Sequence, residues 1–319
     1  MHFDVFNGDA DGICALLQLR QTFPCDSKLV TGVKREIDLL RHVSVNDGDT
    51  VSVLDISLDK NRVYLDSILE KKTQVLYVDH HYAGEIPLAE NLNAIIDESA
   101  NTSTCALMNC YLSSSRPLWA AVGTFGDNLK ELAMKQLEGS GLSKSDSDLL
   151  EELGVYINYN GYGEELSDLH YSPDKLYKLL EPYDNPLNFI SDCQIHFHKL
   201  KDSYRSDFSK ALMQKPERSF ESSKLFILPQ ESWSRRVVGV FGNHLTNTNP
   251  NLAYAVLVKN SEDSYKVSVR APKNSKVKAS DLCCKFPSGG GRSAAAGINK
   301  LHQSDFDEFI KRFEGFFGT

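Results

Sequence analysis

An acid and two imidazoles follow directly on an apolar run at Tyr77-Val78-Asp79-His80-His81, where Val75-Leu76-Tyr77-Val78 reads as a buried strand. Other acids repeat the arrangement. Val5-Phe6 leads into Asn7-Gly8-Asp9-Ala10-Asp11-Gly12, Val51-Ser52-Val53-Leu54 leads into Asp55, and a helical segment over residues 119–125 leads into Gly126-Asp127. In an open parallel sheet, ligands bind in the crevice beyond the carboxyl ends of the strands, so these carboxylates are expected to converge on one site. Two carboxylates about 4 Å apart repel by roughly 4 kcal/mol at an effective dielectric near 20. Gathering Asp9, Asp11, Asp55, Asp79 and Asp127 therefore calls for cations. Oxygen-rich ligand sets with one or two imidazoles favour Mn²⁺ or Mg²⁺, whereas Zn²⁺ more often recruits thiolates or three histidines. A turn by itself accounts for Asn7-Gly8-Asp9, but not for Asp11, Asp55 and Asp79-His80-His81 as a set.

The elements that must position these groups alternate along the N-terminal half. Strands are expected at residues 2–6, 28–32, 51–54, 74–78 and 93–97, with helices at 11–20, 58–69 and 102–112. That pattern predicts an α/β fold with a doubly wound parallel sheet, its core over residues 1–127. A helical extension and connector follows over 128–213, with helices at 129–137 and 146–155 and one long helix at 186–213. The aromatic, glycine-rich run 156–163 reads as a packed loop, or as a lid whose tyrosines stack on a base. His196 and His198, two apart, would not share a helical face and read as solvated or packed groups. Polar residues 214–223 with Pro216 read as a linker. A smaller α/β C-terminal domain then occupies 224–319, with β-rich runs at 224–228, 237–241, 253–259 and 265–270 and helices at 278–284 and 305–313. Phe306, Phe309, Ile310 and Phe313 recur at helical spacing and belong to its core.

Composition narrows the function classes. A chain of 319 residues exceeds one ordinary core, and 41% hydrophobic with 24% charged residues is ordinary for a globular protein. No apolar run is long enough to cross a bilayer and the N-terminus lacks the features of a signal peptide, so a cytoplasmic protein without a membrane partner is expected. Seven cysteines, with no C-x-x-C spacing, read as reduced thiols instead of disulfides or a zinc site. A net charge of −8 argues against a broad basic face for long nucleic acids. A short or small phosphorylated substrate fits better.

The ordered set Asn7-Gly8-Asp9-Ala10-Asp11-Gly12, Asp55, Asp79-His80-His81 and Gly126-Asp127 resembles the DHH phosphoesterase superfamily. Ser288-Gly289-Gly290-Gly291-Arg292-Ser293-Ala294-Ala295-Ala296-Gly297 is similar to the glycine-rich signature of the DHH-associated domain that follows the catalytic domain in many members. Residues 128–223 carry no matching motif. The resemblance implies hydrolysis of phosphoesters or phosphoanhydrides with two Mn²⁺ ions, for which Mg²⁺ or Co²⁺ can substitute. It implies that Asp9 and Asp11 hold different metals, that Asp55 bridges both, and that His80 and Asp127 complete the second site. Asp79 would orient His80 or complete the shell, and His81 would face the phosphate and assist the leaving group. Asn7 stands where many members place a histidine or aspartate ligand, which leaves a weaker first site or ligation through the amide oxygen. Gly289-Gly290-Gly291 permits an anion-binding nest of N–H groups, with Ser288 before it and Arg292 able to fork onto a phosphate. Members commonly carry histidine at the position of Arg292. Arg270 is the other candidate phosphate contact, or else a surface ion pair.

Three readings follow. The first is a Mn²⁺-dependent phosphodiesterase acting on short oligonucleotides or linear dinucleotides. The second is a phosphatase acting on pyrophosphate, polyphosphate or a nucleoside phosphate. The third is a nucleotide- or RNA-binding module with a degenerate centre, suggested by Asn7 and Arg292. A homodimer is compatible with each.

Overall fold

Short apolar runs build the first sheet. A computed structural model describes residues 1–260 and 263–317. In it the strands β1 (His2–Phe6), β2 (Lys28–Val30), β3 (Thr50–Leu54), β4 (Gln74–Asp79) and β5 (Leu92–Ile96) are all parallel, in the order β2-β1-β3-β4-β5. Phe6 pairs with Leu54 and Leu54 with Val78, so Asn7, Asp55 and Asp79 leave the sheet at one level. Strand order reverses at β1, which puts the switch point between β1 and β3, where sheets of this order open a ligand crevice. The parallel doubly wound α/β arrangement expected from the sequence is present.

Helices of this part are α1 (Ala10–Thr22), α2 (Leu58–Leu69), α3 (Thr104–Tyr111), α4 (Pro117–Gly126), α5 (Lys130–Gln136), α6 (Lys144–Gly161), α7 (Pro173–Leu180), α8 (Pro186–Asp192) and α9 (Gln194–Leu212). On one face of the sheet, Val5, Val53, Tyr77, Leu58 and Leu65 share a core with Leu39 and Leu40 of a 3₁₀ turn. Helix α1 is buried along nearly its whole length and packs against α3, α4 and α6. Its polar members are satisfied: Gln18 donates to the carbonyls of Cys14 and Cys105, and Arg20 forks onto Asp4. A Cβ at Gly126 would lie 2.3 Å from the Ala10 Cβ, so a residue without a side chain is what lets α4 and α1 meet.

Two expectations for this part are corrected. Residues 156–161 are not a loop or lid. They are the last turns of α6, a helix opened by a Ser143–Asp146 capping box, and Tyr156, Ile157 and Tyr159 are core. The segment 186–213 is two helices, because Cys193 leaves helical backbone geometry between α8 and α9, with its sulfur beside the Tyr183 hydroxyl at 3.0 Å.

The chain divides into two compact units, Met1–Asp202 and Ser203–Thr319, with the division inside α9. In the second unit a mixed sheet of order β10-β11-β9-β8-β7-β6 is formed by β6 (Arg218–Ser219), β7 (Ser223–Leu228), β8 (Ala253–Lys259), β9 (Ser264–Arg270), β10 (Gly289–Gly291) and β11 (Ala295–His302). Strands β7 and β8 are parallel and the other described pairs antiparallel, and the helix α10 (Ser232–Thr248) makes the β7–β8 crossover. This helix replaces the strand expected at 237–241. The valines favour a strand in isolation, but Trp233, Val237, Val240 and Phe241 fall on the helical period and are buried. Short α11 (Ala279–Cys283) and α12 (Phe306–Phe317) complete the unit, and Phe309, Phe313 and Phe317 of α12 enter a core with Leu257, Val267 and Ile298. Among the described residues no helix is long and apolar enough to cross a membrane, and the cysteines are unpaired.

Candidate metal centre

Each acid reaches the crevice by a local device. Asp9 is the N-cap of α1 and accepts from Gly12 N–H at 3.1 Å. Asp11 is fully buried and accepts from the first amides of α3, Thr104 N–H at 2.7 Å and Cys105 N–H at 2.8 Å. A helix N-terminus is a natural seat for such a charge. Asp55 turns off β3 in the left-handed region (φ 62°), a conformation that costs a non-glycine residue of order 1 kcal/mol. Its N–H donates to Val78 O at 3.0 Å, and its Oδ1 accepts the Thr104 hydroxyl at 3.0 Å. Asp127 caps the C-terminus of α4.

His80 is the hub. Its Nδ1 lies 2.8 Å from the Thr102 carbonyl oxygen, to which only an N–H can donate. In the neutral imidazole Nε2 then carries the lone pair. It faces Asp127 Oδ2 at 3.4 Å, Asp55 Oδ1 at 3.5 Å and Asp11 Oδ2 at 3.7 Å. Among the described residues, ligand atoms gather in two overlapping groups, Asp55-His80-His81 and Asp11-His80-Asp127, each within 4.8 Å. A metal-bound imidazole normally donates its other N–H to an acceptor, and Thr102 O fills that role. Of the two roles expected for Asp79, orienting His80 falls to Thr102 instead: Asp79 Oδ1 lies 2.7 Å from His81 Nδ1, while its Oδ2 stays open toward the shell.

The electrostatics are those of a site built for cations. Burial and then Asp127 and Asp9 raise the pKa of Asp11, with His80 pulling the other way. Burial and then Asp9, Asp11, Asp127 and Asp79 push Asp55 well above the ordinary carboxylate range. Two buried acceptors, Asn7 Oδ1 and Asp79 Oδ2, have no hydrogen-bond partner among the described residues, the pattern that an absent ion or water leaves behind. Oxygen donors with imidazole suit a hard divalent ion.

Sequence reasoning missed Lys34. Its ammonium donates to Asp9 Oδ2, to Asn158 Oδ1 at 2.8 Å and to Asp127 Oδ1 at 3.4 Å. Burial alone would lower its pKa, but Asp9, Tyr162 and Asp127 outweigh that and hold it well above the ordinary lysine value. A signal was present: Lys34 lies just past β2, whose carboxyl end opens on the same sheet edge as that of β1. Asn158 had none, since α6 is distant in sequence and only its packing on α4 delivers it.

The remaining candidates belong to the second unit. Gly289–Gly291 is an extended strand paired with β11, which corrects the expectation of a nest, since a nest needs alternating helical turns. A Cβ at Gly289 would stand 1.8 Å from Cys283 O, and one at Gly290 would meet nothing within 4 Å. Ser288 takes positive φ and its hydroxyl accepts Lys300 N–H at 2.9 Å. Arg292 N–H closes the hairpin on Ala295 O at 2.8 Å. Arg270, half-buried at the end of β9, donates to Asn243 Oδ1 and Ser268 Oγ at 2.9 Å each, and to Gly239 O at 3.3 Å.

Residues 222–319 match the DHHA1 domain family. The chain has the DHH fold and ends in a DHHA1 domain. The first unit supplies the parallel sheet of that fold. The fold is similar to that in a crystal structure of the exonuclease RecJ bound to manganese, with TM-score 0.63, 16% identity, and 99% of this chain and 90% of that chain covered. It is also similar to PggH, a pGpG-specific phosphodiesterase from Vibrio, with TM-score 0.53, 14% identity, and 99% of each chain covered. An exopolyphosphatase-related protein from Bacteroides fragilis matches with TM-score 0.52, 14% identity, and 100% of this chain and 93% of that chain covered. No curated protein sequence matches.

Proposed function

We propose that this DHH protein is a divalent-metal-dependent phosphodiesterase that hydrolyses short oligonucleotides or linear dinucleotides to mononucleotides, with Mn²⁺ as its ion. The observation that carries the reading is His80, with Nδ1 on the Thr102 carbonyl and Nε2 faced by carboxylate oxygens of Asp11, Asp55 and Asp127. A bound divalent ion supplies Lewis-acid charge to a phosphate and makes its bound water a nucleophile near neutral pH. The protein's own groups do the rest. Asp11, Asp55, His80 and Asp127 hold the ion, and Asn7 offers its orphaned Oδ1 as a further donor. His81, a third exposed at 33% and steadied by Asp79, would give a proton to the leaving oxygen.

The DHHA1 domain is assigned the substrate end, through Arg270, Ser288 and the bare backbone of Gly289, Gly290 and Gly291 followed by Arg292. An acidic chain of net charge −8 favours short substrates over long strands, and the likeness to PggH favours a dinucleotide. Unpaired cysteines fit a reducing cytoplasm.

The likeness to an exopolyphosphatase-related protein supports a second reading, cleavage of a phosphoanhydride. A panel of linear dinucleotides, short oligonucleotides, pyrophosphate and polyphosphate, each with Mn²⁺ and scored for nucleotide against free phosphate, separates the two. Mononucleotides from dinucleotides are expected; phosphate from pyrophosphate with intact dinucleotide would select the second reading.

A further inference from the structure

Lys34 is a built part of the acidic centre. Its main-chain N–H donates to Gly161 O at 2.8 Å, which ties the segment after β2 to the end of α6. A Cβ at Gly161 would approach Gly8 O to 2.8 Å and Asp9 Cα to 3.0 Å, so α6 touches the Asp9 turn directly. The ammonium therefore arrives between fixed walls. Its acceptors are Asp9 Oδ2, Asn158 Oδ1 and Asp127 Oδ1, matching the three donors of an ammonium group. The Tyr162 ring lies 5.3 Å from Nζ. Asp9 and Asn158 are almost wholly buried.

The ligand groups around His80 are laid out differently. Both contain His80, and neither contains Asp9. With Nδ1 committed to Thr102 O, His80 has one lone pair, and the two groups share it. Asp127 stands between the centres, with Oδ1 toward Lys34 and Oδ2 toward His80. A fixed positive charge there opposes a divalent ion on the Asp9 side.

We infer that the Lys34 ammonium takes the place of one ion of a two-metal pair, so that the centre binds a single divalent ion around His80 and Asp9 serves the lysine instead of a metal. This rests on the proposed metal-dependent function and narrows it.

Mn²⁺ binding to the full chain tests the inference, by calorimetric titration with metal analysis after dialysis and by electron paramagnetic resonance. The parent is expected to bind one Mn²⁺ per chain with an uncoupled spectrum. Two ions about 4 Å apart would give a coupled spectrum. Two Mn²⁺ in the parent would overturn the inference and leave the hydrolase reading standing, whereas no bound Mn²⁺ would overturn both. Lys34→Ala is expected to admit a second ion, and a variant that stays at one ion contradicts the placement. Should that variant misfold, Asp9→Asn carries the test. Its Mn²⁺ affinity is expected to stay within about tenfold of the parent's, whereas a ligand role for Asp9 would cost more than the roughly 10- to 100-fold that loss of an outer-shell partner costs.

Discussion

His80 Nδ1 stands 2.8 Å from the Thr102 carbonyl oxygen, and this contact decides which nitrogen looks into the acidic crevice. Thr102 lies between β5 and α3, so the loop after the edge strand sets the tautomer of a residue at the end of β4. His80→Ala is expected to weaken Mn²⁺ binding by about 100-fold or more, as read by calorimetric titration. Parental affinity in the variant would remove His80 from the ligand set.

Asp79 and His81 form the second positioning pair, at 2.7 Å. Asp79→Asn keeps an acceptor for His81 Nδ1 but removes the negative charge beside the ring. We expect kcat to fall about 10- to 100-fold, with KM and melting temperature near parental values. Steady-state kinetics with a dinucleotide decides this, and an unchanged kcat would free His81 from any dependence on Asp79.

Far from the crevice, Arg20 Nε and Nη2 fork onto the two oxygens of Asp4 at 2.8 and 2.7 Å. Burial would raise the Asp4 pKa, but hydrogen bonds from His2, Arg20 and Ser27 outweigh it and hold the group below its usual 3.8. Its stabilisation is therefore complete above pH 3.8 and is lost as pH falls through the lowered native value. Asp4→Ala leaves a buried guanidinium without its partner and is expected to cost about 3–5 kcal/mol. Thermal melts should show that deficit at neutral pH and a narrowing of it in strong acid; a constant deficit would contradict the linkage.

Much of the first unit was legible because apolar runs and charged ends alternate. Val53-Leu54-Asp55 and Tyr77-Val78-Asp79 announce strands that deliver acids, and parallel pairing in register does the rest. What stayed hidden depends on contacts between distant segments. Nothing local in Thr102 or Asn158 signals a partner 22 residues away in His80 or 124 residues away in Lys34. The strand expected at 237–241 failed for the opposite reason: local valine preference pointed one way, and burial of Trp233 and Phe241 on one helix decided the outcome.

Metal-free protein should carry the strain of its own acids. Burial and neighbouring charge raise Asp11 and Asp55 above their unfolded values, so without metal these groups lose stability as pH rises through the raised range. Mn²⁺ at about 100 times its Kd is expected to add about 2.7 kcal/mol. The rise in melting temperature over a chelator-treated control should grow from mildly acidic to neutral pH. Absence of any shift would argue against a metal in this crevice.

Asp55 sits where β3, β4 and α3 meet, with its Oδ1 toward Thr104, His80 and His81. Turnover of a linear dinucleotide with Mn²⁺, parent against Asp55→Ala, is the most direct test of the whole account. It predicts mononucleotides from the parent and a loss of at least about 100-fold in the variant; equal rates in the two proteins would contradict it.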